Sequence, residues 1–269
     1  MSGKQAGACI FCGGGNLSKE HFWPEWASPL LPRYPTNQHV EHLITLTEVT
    51  KLKVPPEIRT KPGHVWTKKL RVVCRTCNSG WMSTLETAAK SVLIPLIRGE
   101  PSKITEASAL VLAQWVALKI MVGEHNQRGD AVVTPQERVR FRATQQMPEN
   151  LRIWLARCGV GGWKTAYRRQ AGTVSLTPEI QIRSQIKNIH SITFGIGDLL
   201  VHVLHATVPN LKLDLSLSQP GIVLPLYPIT GPMDWPPDRG VSAAEASYLA
   251  ETLDRLFRDK NTRWMPFPE

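Results

Sequence analysis

The chain has 269 residues, 42% of them hydrophobic and 20% charged, a balance that excludes a disordered polymer and allows a sizeable buried core. No run of eighteen uncharged apolar residues occurs. The longest apolar stretch, Ala107 to Val122, carries Gln114 and Lys119 and reads as a core helix, so a membrane partner is not expected. The formal net charge of +10 points to a polyanionic partner, and Met1 to Ala8 lack an apolar leader, which predicts a cytoplasmic protein.

Along the chain, Cys9-Ile10-Phe11-Cys12 opens a tight turn continued by Gly13-Gly14-Gly15-Asn16, where permissive backbone angles are needed. Leu17 to Phe22 reads as a short strand. Pro24, Pro29, Pro32 and Pro35 break the next segment, leaving room for one helical turn over Glu25 to Leu31. Residues 36–69 read as an elaborated loop or small β insertion, with its clearest strand signal at Leu43 to Thr47. Leu70 to Val73 alternates as a second strand and enters Cys74-Arg75-Thr76-Cys77. From Ser79 the period becomes helical, through Trp81, Leu85, Val92 and Leu96, with Pro95 and Gly99 as its expected end.

A boundary is expected near Gly99-Glu100-Pro101, dividing a domain over 1–100 from a second over 101–269. The second part begins with an apolar helix over Thr105 to Val122. Thr134-Pro135-Gln136-Glu137 has the cap, the N1 proline and the acidic residue of another helix start. Strand signals come next at Leu151–Ala156, Thr173–Leu176, Ile189–Phe194, Leu199–Thr207 and Ile222–Leu226. A last amphipathic helix spans Ser242 to Arg258. The expected fold class is α+β, a cysteine-knotted N-terminal module followed by a mixed α+β domain.

Cys9, Cys12, Cys74 and Cys77 form two Cys-x-x-Cys pairs, the count and pairing that close a tetrahedral zinc site. Four thiolates leave no open position for water, so such a zinc is structural. Cys158 is left over and reads as a small buried hydrophobe. The charge is unevenly placed. Residues 1–100 hold 13 Lys and Arg against 7 Glu and no Asp, and between Glu57 and Glu86 there is no acidic residue at all. Arg59, Lys61, Lys68, Lys69, Arg71 and Arg75 fill that interval and are the candidate phosphate contacts, on double-stranded DNA first and on RNA as the alternative.

Between the cysteine pairs stands Glu20-His21-Phe22-Trp23-Pro24, and Asn78 follows the second pair directly. With Leu70-Arg71-Val72-Val73-Cys74-Arg75-Thr76-Cys77-Asn78, these segments make the chain resemble the HNH endonucleases of the ββα-metal nuclease superfamily, in a subgroup found in bacterial and phage genomes. The resemblance covers about residues 5–90. It implies a hairpin leading into a helix and metal-dependent hydrolysis of DNA phosphodiester bonds. It assigns His21 as general base and gives Glu20 and Asn78 one divalent cation, Mg²⁺ or Mn²⁺. Where the family places a middle Asn, this chain has Lys68-Lys69.

The residue chemistry agrees with those roles. An imidazole near its own pKa takes a proton from water at neutral pH, and a hard cation on oxygen ligands stabilises charge building on a phosphate. A non-catalytic zinc module that binds nucleic acid is the competing reading, and it has no use for Glu20-His21. His39, His42 and His64 read as surface residues. His202 and His205 are spaced to face opposite sides of one strand. Trp23, Trp26 and Trp81 read as packing residues. Residues 101–269 carry no legible motif and are expected to serve target selection, oligomerisation or docking to a partner subunit.

Overall fold

A computed structural model describes residues 7–32, 38–43, 57–63, 67–126, 131–173, 187–208 and 222–258, and its fold is mixed α+β. β1 (Leu17–His21) leaves the first cysteine turn and is followed by a short 3-10 turn over Glu25–Leu30. β2 (Gln38–Leu43) and β3 (Glu57–Pro62) pair antiparallel as the β insertion, Gln38 opposite Pro62 and Leu43 opposite Glu57. The expected strand at Leu43 to Thr47 begins where β2 ends, and 44–47 lie outside the described residues, as does His64. Arg59 and Lys61 belong to β3, and His39 and His42 to β2; their side chains also lie outside the description.

β4 (Lys69–Cys74) runs antiparallel to β1 and passes directly into a single helical turn, α1 (Arg75–Cys77). A widened turn over Asn78–Met82, broken at Gly80 (φ −96°, ψ −116°), leads into α2 (Ser83–Arg98). The sequence places two stops on this helix, and only the second acts. Pro95 lies inside α2, because a proline deletes one hydrogen bond without forcing the chain to turn. Gly99 adopts φ 69°, and its N–H and that of Glu100 close on the carbonyls of Leu96 and Pro95.

After β5 (Ser102–Ile104), Thr105 caps α3 (Glu106–Gly123) by accepting from the Ser108 N–H. α3 is long and apolar enough to cross a membrane, yet every residue from Trp115 to Gly123 is buried within the fold. α4 (Pro135–Thr144) starts with the reciprocal Thr134–Glu137 box that the sequence announces. The strands β6 (Arg152–Arg157), β7 (Tyr167–Gly172), β8 (Ile189–Ile196), β9 (Leu199–Ala206) and β10 (Val223–Tyr227) form one antiparallel sheet in the order β10-β6-β9-β8-β7. Four of the five coincide with predicted strands. β7 ends where the expected Thr173–Leu176 begins, and 174–176 are outside the described residues. β11 (Met233–Trp235) pairs with β5, tying the end of α2 to the C-terminal part of the chain. The predicted helix from Ser242 to Arg258 is divided at Glu251 (φ −94°, ψ 12°) into α5 (Ala243–Ala250) and α6 (Thr252–Arg258).

β8 and β9 are buried along their whole length because both faces of the sheet are covered. Ile192, Phe194, Val201 and Val203 meet α3 and the N-terminal unit, while Ile189, Leu200 and Leu204 meet Ala246, Leu249 and Leu253 of α5 and α6. The first of these cores runs without interruption from Cys9 and Phe11 through Leu93 and Trp115 to Val203. Trp23 packs edge-on against Phe194 at 5.4 Å and Phe22 against Tyr167 at 4.8 Å. A Cβ on Gly123 would stand 2.6 Å from the Phe22 ring, so the C-terminal end of α3 needs glycine to approach the segment after β1. Gly99 to Pro101 therefore marks a change of element, and the hydrophobic core continues across it.

Candidate metal centre and the polar site beside it

The first cysteine turn and the β4–α1 junction meet at the end of the hairpin. The Ile10 N–H donates to the Val72 carbonyl, and the Cys9 and Gly13 N–H groups close the turn internally, with Gly13 at φ 71°. The Cys9, Cys12, Cys74 and Cys77 sulfurs all lie within 4.8 Å of one another, with 3.5 Å between those of Cys12 and Cys74. A tetrahedral zinc with Zn–S bonds of about 2.3 Å requires sulfurs about 3.8 Å apart, so this cluster can hold a metal such as zinc. Backbone N–H groups point at the sulfurs. Gly14 N–H donates to Cys12 Sγ and Cys77 N–H to Cys74 Sγ, each at 3.4 Å. Burial opposes ionisation of Cys9, but N–H groups at Cys74, Phe11 and Cys12 outweigh it and bring the thiol down to about 7. Burial, helped by the Cys12 and Cys74 sulfurs, pushes Cys77 up to about 12.

Two further contacts fix the cluster. Phe11 is fully buried and meets Trp81 edge-on at 5.0 Å, and Trp81 meets Phe141 of α4 at 5.9 Å. Arg138 of α4 donates to the Ile10 carbonyl inside the first Cys-x-x-Cys turn and to the Val133 carbonyl, and faces the buried Glu124 carboxylate. Trp23, Trp26 and Trp81 all belong to or pack on the core, in keeping with their expected role. Cys158 is buried, and burial pushes its thiol up to about 12.

Of the residues expected to carry chemistry, Asn78 adjoins this cluster, and Glu20 and His21 stand at the far end of the hairpin. Asn78 donates its side-chain amide to Ser18 Oγ at 3.0 Å, and Ser18 donates to the Val73 carbonyl, so both strands and the helical turn are joined here. β1 and β4 pair Ser18 with Val73, Glu20 with Leu70 and His21 with Lys69. β4 therefore carries one more residue than β1 between the first two pairs, a bulge that re-aims the strand end. His21 is half-buried opposite the exposed Lys69. Arg71 and Arg75 are exposed, Arg71 donating to the Leu17 carbonyl at 3.1 Å, and Lys68 is half-buried.

Glu20 is the residue whose surroundings the sequence does not convey. It is buried, and its Oε1 accepts from Lys119 Nζ of α3 at 3.0 Å. The same ammonium lies 3.0 Å from Glu86 Oε2 of α2 and 3.3 Å from the His21 carbonyl oxygen. Burial works against the Lys119 charge, but the Glu20 and Glu86 carboxylates prevail and hold its pKa above the ordinary lysine value. The triad carries one net negative charge. The side-chain oxygens of Glu20 and Asn78 are hard donors of the kind Mg²⁺ and Mn²⁺ prefer.

Lys119 had a signal in the sequence. A lone lysine amid the apolar residues of a core helix must find a carboxylate or leave the interior. Its partners, 99 and 33 residues upstream, did not. His202 and His205 face opposite ways as their spacing requires, His202 toward Thr193 and Trp154 and His205 toward His190 and Glu137. Comparison of the chain with models of protein families, with curated proteins and with solved structures finds no match.

Proposed function

We propose that the chain is an HNH-type endonuclease hydrolysing DNA phosphodiester bonds, with His21 as general base. The observation that carries this reading is the bond from Asn78 to Ser18, across 60 residues of sequence. It joins the residue after the second cysteine pair to the strand that ends in His21, on a hairpin whose other end is tied by four cysteines. In the proposed reaction, His21 takes a proton from water as its oxygen attacks phosphorus in line, leaving 5′-phosphate and 3′-hydroxyl ends. Glu20 and Asn78 would hold Mg²⁺ or Mn²⁺, whose charge would be set against that building on the phosphate and the leaving oxygen. Lys69, Arg71 and Arg75 are exposed beside His21 or the cysteine cluster and would hold backbone phosphates, positioning the duplex without reading its sequence.

One observation favours a second reading, a zinc-pinned module that binds nucleic acid without cutting it. The Glu20 carboxylate already has a counter-ion in Lys119. Both readings are tested by incubating wild type and His21→Ala with plasmid, linear duplex, single-stranded DNA and RNA in Mg²⁺ or Mn²⁺, with zinc content measured in each protein. Loss of a positioned base lowers rates by about 10² to 10⁴. Wild type should cut duplex DNA and His21→Ala should not, at equal zinc content and DNA affinity. Equal cutting by both would place the nuclease site elsewhere, and a wild type that binds but never cuts would establish the binding module.

A further inference from the structure

We infer that Lys119 is a positioning residue for His21, a buried clamp supplied from outside the hairpin–helix unit. The inference rests on the nuclease reading of His21, but its geometry stands apart from any reaction. One ammonium, 2% exposed at its side chain, makes three contacts that converge from two elements. Two are to consecutive residues at the end of β1, the Glu20 carboxylate and the His21 peptide oxygen. The third is to Glu86 of α2, the helix that continues from Asn78. Lys119 thus ties the strand end that presents His21 to the helix that follows the other half of the site.

The backbone ladder runs through that end of β1, where the Phe22 N–H donates to the Lys68 carbonyl at 2.9 Å, but a bulge offsets it upstream. The bulge between the Ser18–Val73 and Glu20–Leu70 pairs interrupts it two residues earlier, and His21 is the last residue of the strand. A bulge re-aims the strand end, and the ammonium adds side-chain bonds to the two residues beyond it. Ordering by the ammonium is directional here because all three acceptors are buried or half-buried, in a setting where a charge-assisted bond is strong and its loss is felt. The clamp also explains why a lysine is tolerated in the most buried stretch of α3. A misplacement of about 1 Å at a reacting group, caused from a distance, lowers a rate by about 10².

The test uses the zinc-loaded full chain with Lys119→Met, Lys119→Arg and Glu86→Gln. Glu86→Gln is the milder variant, since it keeps the Lys119–Glu20 pair and cuts only the tie to α2. Two readouts are taken: kcat and KM on duplex DNA, and the ring signals of ¹³C-labelled histidine, with His21 identified by its loss in His21→Asn. The clamp predicts that Lys119→Met lowers kcat by about 10² with KM and zinc content unchanged. Glu86→Gln should lower it less, Lys119→Arg should restore most of it, and the His21 signal should shift or broaden in step. If Lys119→Met does not fold, Glu86→Gln carries the test alone. A His21 signal and kcat that ignore both substitutions overturn the clamp while leaving the nuclease reading intact. A wild type that cuts nothing overturns the nuclease reading, and the His21 signal still decides the clamp.

Discussion

At the scale of single residues, the interior of this protein is more polar than its apolar helices suggest, and each buried polar group has a different consequence. His202 stands directly across the β8–β9 ladder from Thr193, whose hydroxyl lies 2.8 Å from Nδ1, and across β6–β9 from Trp154. The neutral ring is held by that hydroxyl. Burial, helped by the Arg255 guanidinium, brings its pKa down from 6.5 to about 3. Because the folded value lies below the unfolded one, the unfolded chain takes up the proton first. Stability from this residue is thus complete above about pH 6.5 and is lost progressively as pH falls toward 3. Between pH 7 and pH 5 the loss is about 2 kcal/mol. His190, also buried and also depressed, works in the same direction, whereas the buried Glu124, raised by burial, works against it. The expected result is a fall in the unfolding free energy from pH 7 to pH 5 that is smaller by about 2 kcal/mol in His202→Gln than in wild type. Parallel curves for the two proteins would mean that His202 does not titrate on unfolding.

At the scale of elements, the cysteine cluster does for the hairpin what its length does not. β1 has five residues and β4 six, and an isolated two-stranded ribbon of that size is marginal in water. Cross-linking residues 9–12 to 74–77 closes the chain around the whole β2–β3 insertion, and metal binding energy at such a site is folding energy. One tightly held zinc per chain is therefore expected. Cys74→Ser, or a chelator, should lower the thermal midpoint sharply, since Cys74 also accepts the Cys77 N–H that starts α1. A metal-free protein with an unchanged midpoint would show that Phe11, Trp81 and Arg138 suffice to hold the turn. This unit is legible in the sequence because its signals are local: paired cysteines, permissive glycines, a strand that alternates, a change to helical period. The Thr134 cap is legible for the same reason. Features that depend on contacts far apart in sequence are not. The order β10-β6-β9-β8-β7 depends on pairings such as β6 with β9 and β6 with β10, between strands far apart in sequence, and the β5–β11 pair joins two three-residue strands. Pro95 reads as a stop only when its local effect is weighed without the packing of Leu93, Leu96 and Ile97 that keeps α2 going.

At the scale of the whole molecule, charge and burial are arranged so that the excess of positive charge is not spread evenly. Lys119 and Arg138, buried in α3 and α4, are consumed by Glu20, Glu86 and Glu124, and Arg239 by Glu245. Lys69, Arg71 and Arg75 are exposed on or just past β4, where the sequence has no carboxylate between Glu57 and Glu86. A duplex approaching His21 would therefore meet cations that acidic neighbours in sequence do not cancel. Binding should weaken steeply with salt, because each neutralised phosphate releases condensed counter-ions. Lys69 and Arg75 are the substitutions of choice, since Arg71 also holds the Leu17 carbonyl and its loss would disturb β1. Replacing both with Ala should reduce the slope of log K against log salt on duplex DNA by about 1.8, or about 0.9 for each phosphate no longer neutralised. Zinc content and the thermal midpoint should stay at wild-type values, as neither side chain is buried. An unchanged slope would assign these residues to a solvated face and move the nucleic-acid surface to the β2–β3 hairpin, where Arg59 and Lys61 stand.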